Sequence, residues 1–196
     1  SSLLNMQQRA LTDPAAQAAM SDTRQRITAL ALIYRALYQG PHLKRVDLRP
    51  FLVELTAQLL SADALRGPPV KTEMHVDALV IDPDRLAPLA LFAVEAITNA
   101  QKHAFSGRGG TLTVTFKVHG DEAVLDISDD GTSGEEVLNA SGVGRTLMTA
   151  FARQLRGRTE LVRDETGGVT VRLMFPTPSV ENTVKPEPQS GNQAAA

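Results

Sequence analysis

In the segment EAITNAQKHAF, Glu95, Asn99 and His103 recur at intervals of four, and Lys102 lies three beyond Asn99. On a helix that spacing sets a carboxylate, an amide, an imidazole and an ammonium on or beside one face. A phosphate group with Mg²⁺ asks for such a set, because Mg²⁺ takes few protein oxygens and keeps phosphate oxygens and water. The amide oxygen of Asn99 suits the metal, and Lys102 and His103 suit the phosphate charge. The same residues also suit a solvated helix end.

Two further stretches could serve the same ligand. In LDISDDGTSG, Leu125 and Ile127 alternate as on a strand, which then ends at Asp129, Asp130 and Gly131. A carboxylate at a strand end can accept a hydrogen bond from an exocyclic amine such as adenine N6, although Asp and Gly are also common in plain turns. In SGVGRTLM, Gly142 and Gly144 lead into a helical pattern. Glycine lets a backbone approach an anion at a helix N-terminus, and a lone GxG is also an ordinary loop-to-helix junction.

The elements that would position these residues fall into three segments. Residues 1–66 read as helical. SSLLNMQQRAL is a short helical piece, Asp13 and Pro14 open a long helix, and Gly40 marks its stop. The second half of that helix is apolar on more than one face, through Ile27, Leu30, Leu32, Ile33, Tyr34, Leu37 and Tyr38. A surface helix needs a single apolar stripe, so the excess predicts packing within a hairpin and against a second chain, as in a dimeric four-helix bundle. VDLRPFLVELTAQLL reads as another amphipathic helix, and the polar stretch SADALRGPP as a boundary. Residues 67–176 read as an α/β sandwich. KTEMHVDALVI holds a strand or two, and DPDRLAPLALFAVEAITNAQKHA a helix capped by Asp82 or Asp84. GGTLTVTFKVHG and EAVLDISDDG form a strand pair joined near Gly120, RTLMTAFARQLRG a helix, and RTELVRDETGGVTVRLMFP a final hairpin turning at Gly167 and Gly168. The Pro-rich, polar stretch 177–196 buries too little to order itself and reads as a disordered tail or linker.

Bulk composition narrows the function classes. A net charge of -2 supplies no basic field for nucleic acid. The absence of Cys excludes a disulfide framework and thiolate metal sites. No apolar run approaches the roughly 20 residues that span a bilayer, and no signal peptide is read at the start, so the expectation is a cytoplasmic protein with no membrane contact by this segment.

The order of the three stretches is more specific than any one of them. ExxxN on a helix, strand, DDG strand end, polar loop, GxG, helix and final hairpin resemble the ATP-binding domain of bacterial sensor histidine kinases, the Bergerat-type fold, over about residues 71–176. ITNAQKHAF carries most of the likeness, and it fits the subgroup related to the HWE kinases. The chain has no Trp and so lacks the HWE signature itself. The resemblance implies ATP and Mg²⁺. It assigns Asn99 to the metal, Glu95 to orienting or activating, Lys102 and His103 to phosphate, and Asp129 with Gly131 to adenine. Gly142, Val143 and Gly144 would close the phosphate loop. Ser133 stands where the family's second glycine is expected, with Gly134 one place later. SSLLNMQQR and RITALALIYRALY are similar to the dimerisation hairpin just past the phosphoacceptor His, which implies a homodimer through the N-terminal helices and a response-regulator receiver domain as partner. The four histidines, His42, His75, His103 and His119, lie elsewhere; His42 reads as a turn residue, and His75 and His119 as surface or edge positions. The expected fold class is thus α+β, a helical hairpin followed by a Bergerat-type sandwich. The expected activity is ATP-dependent histidine phosphorylation by a core truncated after its acceptor. The alternatives are a phosphorelay scaffold or phosphotransfer protein with a degenerate ATP site, and an anti-sigma-type serine kinase.

Overall fold

The computed structural model of the chain describes residues 13–38, 45–61, 68–105, 108–131 and 143–177. The readings of the first helical piece, the Gly40 stop, the His42 turn, the boundary at 66/67, the loop with Ser133, Gly134 and Gly142, and the tail from 178 onward lie outside the described residues.

In chain order the elements are α1 (Pro14–Tyr38), β1 (Val46–Asp47), α2 (Leu48–Ser61), β2 (Val70–Val76), β3 (Val80–Ile81), α3 (Pro83–His103), β4 (Gly110–His119), β5 (Glu122–Asp129), α4 (Val143–Gln154), β6 (Arg158–Arg163) and β7 (Val169–Pro176). The class is α+β, with N-terminal helices ahead of a helix-on-sheet sandwich. No helix among the described residues is long and apolar enough to cross a membrane.

Strands β2, β4, β5, β7 and β6 form one sheet in that order, parallel between β2 and β4 and antiparallel elsewhere. Its two faces follow from alternation along the strands. Leu112, Val114 and Phe116 on β4, Ala123, Leu125 and Ile127 on β5, and Val171, Leu173 and Phe175 on β7 are buried. They line up in register, as Val114 opposite Ile127 and Ile127 opposite Val171. On the other face Asp126 faces Arg172 and Ser128 faces Thr170. Arg172 donates Nε and Nη2 to the two Asp126 oxygens at 2.8 Å each, and the Ser128 and Thr170 hydroxyls lie 2.8 Å apart. The sequence put each hairpin turn in place. Gly120 adopts φ +58° between β4 and β5, and Gly167 adopts φ +100° between β6 and β7, conformations glycine enters without a Cβ clash. In the second turn Asp164 Oδ1 accepts from the Thr166 and Gly168 amides at 2.9 and 2.8 Å. The Thr166 hydroxyl, then these amides, hold the Asp164 carboxyl below the usual carboxylate range.

Helix α3 is the central element. Asp82 occupies its N-cap in an extended conformation with Pro83 following, but makes no side-chain cap bond. Leu89, Ala90, Phe92, Ala93, Val94, Ala96 and Ile97 are all buried, so this stretch has no solvent face. A helix apolar all round must be covered all round. The sheet and α4 cover one side, and α1 and α2 the other, with both N-terminal helices entering the same buried cluster as the sheet. A two-residue ribbon, β1 with β3, ties the start of α2 to the start of α3. On α1, Ala29, Leu32 and Ile33 face inward, whereas Ile27, Leu30, Tyr34 and Tyr38 remain exposed, the tyrosines at 59% and 62%. The apolar excess read in the sequence is therefore divided between the core and an outer stripe.

Candidate functional site

The last two turns of α3, the end of β5 and the first turn of α4 converge on one cavity of about 280 Å³. Asn99 and His103 line it from α3, Asp129 from β5 and Gly144 from α4, four of the residues singled out in the sequence. Its apolar walls are Ala96, Ala100, Ile127, Met148, Leu161 and Val171. The lining is shared about evenly between apolar and polar side chains, and a concave slot with apolar surface and convergent polar groups suits a small molecule.

Space beside position 144 is tight. A Cβ there would stand 3.1 Å from Glu95 Oε2 and 3.7 Å from Asn99 Oδ1. A carboxylate oxygen and an amide oxygen thus converge on a space kept open by a missing side chain. That donor chemistry fits Mg²⁺, which holds one or two protein oxygens and fills its shell with water and phosphate. Among the described residues no cluster of three or more acids or histidines forms a closed metal cage.

Asp129 ends β5 with its Oδ1 accepting from the Gly131 amide at 3.0 Å and the Val169 amide at 3.4 Å. Both bonds fall on Oδ1, which leaves Oδ2 for a donor on a ligand. Burial, the largest influence, outweighs those two amides and raises the Asp129 carboxyl above its ordinary value, with Asp130 and Asp164 adding repulsion. Gly131 plays a packing part: a Cβ there would lie 2.4 Å from the Ala104 Cβ, so its bare backbone lets the strand end rest on the end of α3. It does not line the cavity, whereas Gly144 does. Val143 is exposed at the start of α4.

Glu95 and Lys102 stand apart from the other predicted residues, because α1 already holds them. Glu95 is 5% exposed, and Arg26 grips it with two of its nitrogens, Nε to Oε1 at 2.6 Å and Nη2 to Oε2 at 3.0 Å. Lys102 Nζ lies 2.5 Å from Asp22 Oδ1. Spacing within α3 located the two residues but gave no sign of these partners. Sequence reasoning also missed Arg145, Met148, Thr149, Thr159, Glu160 and Leu161 as cavity residues. The apolar ones read as core, and the polar ones belong to no local motif.

Residues 1–63 match the HisKA_2 family, described as histidine kinase. The sensor histidine kinase PdtaS of Mycolicibacterium smegmatis is 27% identical over 183 residues, covering 89% of this chain and 36% of that protein. The nitrate/nitrite sensor protein NarX of Escherichia coli is 28% identical over 110 residues, 56% of this chain and 18% of its own length. The chain thus spans about a third or less of these curated relatives. Among solved structures, the histidine kinase domain of the Erythrobacter litoralis blue-light activated histidine kinase superposes with a TM-score of 0.69 at 21% identity, covering 80% of this chain and 75% of that one. The ATP-binding domain of PrrB from Mycobacterium tuberculosis gives 0.51 at 23% identity, covering 69% and 97%. Residues 1–63 are thus similar to a histidine-kinase family, most of the chain is similar in sequence to part of a sensor histidine kinase, and its fold is that of the solved histidine kinase and ATP-binding domains.

Proposed function

We propose that this chain is the ATP-binding catalytic core of a two-component sensor histidine kinase. The observation that carries the reading is the meeting of Asn99, His103, Asp129 and Gly144 at one apolar-walled cavity. Adenine would enter between Ile127, Met148 and Val171, with its exocyclic amine on the Asp129 carboxylate. The triphosphate would run toward the N-terminus of α4, because the positive end of a helix favours an anion, with Lys102 and His103 neutralising charge. Asn99 would hold Mg²⁺, which neutralises phosphoryl oxygens when bound. In the transfer, the bond from the γ-phosphorus to its bridging oxygen breaks as a bond to an imidazole nitrogen of the acceptor histidine forms, and ADP leaves. Positioning and charge stabilisation dominate such chemistry. The phosphoryl group would then pass to an aspartate on a response-regulator receiver domain. The exposed stripe of Ile27, Leu30, Tyr34 and Tyr38 supports a homodimer through the N-terminal helices. A kinase of this kind works where ATP is held, in the cytoplasm. Calorimetric titration with ADP and Mg²⁺ tests the reading: stoichiometric binding that Asp129→Ala weakens roughly ten- to hundredfold supports it, and no heat from the unmutated chain overturns it.

A further inference from the structure

Helix α1 meets two groups of opposite sign on α3 with their complements. Arg26 takes the Glu95 carboxylate, and one turn earlier Asp22 takes the Lys102 ammonium. The pairs run in opposite chain order, so the helices cross antiparallel. A neutral relay lies between them. The Thr98 hydroxyl donates to Gln25 Oε1 at 2.6 Å, Gln25 Nε2 donates to Gln101 Oε1 at 3.3 Å, and Gln101 Nε2 donates to the Leu59 carbonyl at 3.2 Å. Gln25 and Thr98 are each 5% exposed. Buried, satisfied polar groups of this kind fix a helix register, and this register is the one that lines Asp22 and Arg26 up with their targets.

An Mg²⁺–nucleotide brings the same two signs. Its phosphate oxygens call for Lys102, and the hydrated metal calls for the carboxylate oxygen that faces Gly144. Both Glu95 oxygens are taken by Arg26, and Asp22 stands on Lys102 as an anion. We infer that α1 is a built-in competitor of the Mg²⁺–nucleotide, with Asp22 standing in for phosphate and Arg26 for the metal. This inference rests on the nucleotide-site reading of Glu95 and Lys102 given above. Docking of α1 and loading of the site then exclude each other at these two residues. The apparent affinity for nucleotide is the intrinsic one reduced by the fraction of molecules with α1 released. Whatever pulls α1 away, such as a rearrangement of the helices that precede the sandwich, would load the site.

The test uses the whole chain and titrates Mg²⁺–ADP. Asp22→Asn with Arg26→Gln removes both stand-in charges while leaving every cavity residue intact, and should tighten binding by about tenfold. Gln25→Ala weakens docking through the neutral relay alone and should shift affinity the same way. The chain has no cysteine, so spin labels at Ala18→Cys and Glu165→Cys report the distance from α1 to the sandwich, which should lengthen on adding Mg²⁺–ADP. Equal or weaker binding by both variants, or an unchanged label distance at saturation, overturns the competitor. No binding by the parent or by either variant overturns the nucleotide site itself.

Discussion

Replacing Asp129 by Asn separates the two things its carboxylate does. The Asn side-chain oxygen keeps the acceptor position toward the Gly131 and Val169 amides, at 3.0 and 3.4 Å in the parent. What is lost is the negative charge together with the second acceptor, because the Asn Nδ2, a donor, takes the place of Oδ2 opposite the adenine amine. A hydrogen bond to a charged acceptor contributes about 1.5–3 kcal/mol, so its loss is roughly a ten- to hundredfold loss of adenine-nucleotide affinity. Stability moves the other way. Burial raises this carboxyl in the folded state, so the folded chain binds a proton more readily than the unfolded chain. The parent therefore gains stability from this group as pH falls through the raised value toward the ordinary one, and carries the cost of the buried charge above it. At neutral pH the Asn variant should melt no lower than the parent, and the contribution of this position to the pH dependence should vanish. Parent affinity for Mg²⁺–ADP should decline with falling pH before an ordinary carboxylate would titrate, and the decline should flatten in the variant. Calorimetry from pH 8 to pH 5 with matched thermal melts reads both effects. Unchanged affinity together with a lowered melting temperature at neutral pH would refute the reasoning, because Asp129 would then be a structural anion without a ligand.

Gly144→Ala puts a methyl group 3.1 Å from Glu95 Oε2 and should cost on the order of tenfold in Mg²⁺–ADP affinity with the circular dichroism spectrum unchanged; unaltered affinity counts against the metal–phosphate placement. Phe92→Ala empties a fully buried position in α3 and should cost about 3–5 kcal/mol by urea unfolding, a loss under 1 kcal/mol being inconsistent with a helix covered on both sides. Tyr34→Glu introduces a charge into the exposed α1 stripe, and light scattering should show a dimeric parent and a monomeric variant; equal masses would remove the stripe from the interface. The 196-residue chain carries four histidines and none before His42, so incubation with γ-labelled ATP should give no acid-labile, base-stable label; such a label would identify an unrecognised acceptor.

What could be read from the sequence was what repeats locally. The four-residue spacing of Glu95, Asn99 and His103 marks one helix face, and alternation in TLTVTF and AVLDIS marks a strand face. Glycine and aspartate clusters place the turns. Each is a property of one element, set by its period. The partners of Glu95 and Lys102 were invisible for the complementary reason. Arg26 and Glu95 lie 69 residues apart, and their meeting depends on how two helices cross. Asp22, Gln25 and Arg26 read as ordinary polar positions of an amphipathic helix. Burial of α3 on every side could have been suspected, since its apolar residues exceed a single stripe, but the covering helices could not be chosen from that surplus. The cavity walls hid as core: Ala96, Met148 and Leu161 are apolar residues in apolar places, and only the gap they border sets them apart.

The order of strands in the sheet also bears on how the chain reaches this state. The β4–β5 and β6–β7 pairs close over the short turns at Gly120 and at Asp164–Gly168, so each forms at little loop-closure cost. Pairing of β5 with β7 spans both α4 and β6, and the parallel match of β2 with β4, Val70 against Gly110, spans all of α3. Contacts of such separation set the pace of folding. Contact separation thus predicts that the two hairpins form first; their joining would set Ile127 beside Val171, two residues that line the cavity. A lesion at the β5–β7 seam would then slow folding and deform the site together, whereas one in the outer β2 edge would slow folding while sparing the site.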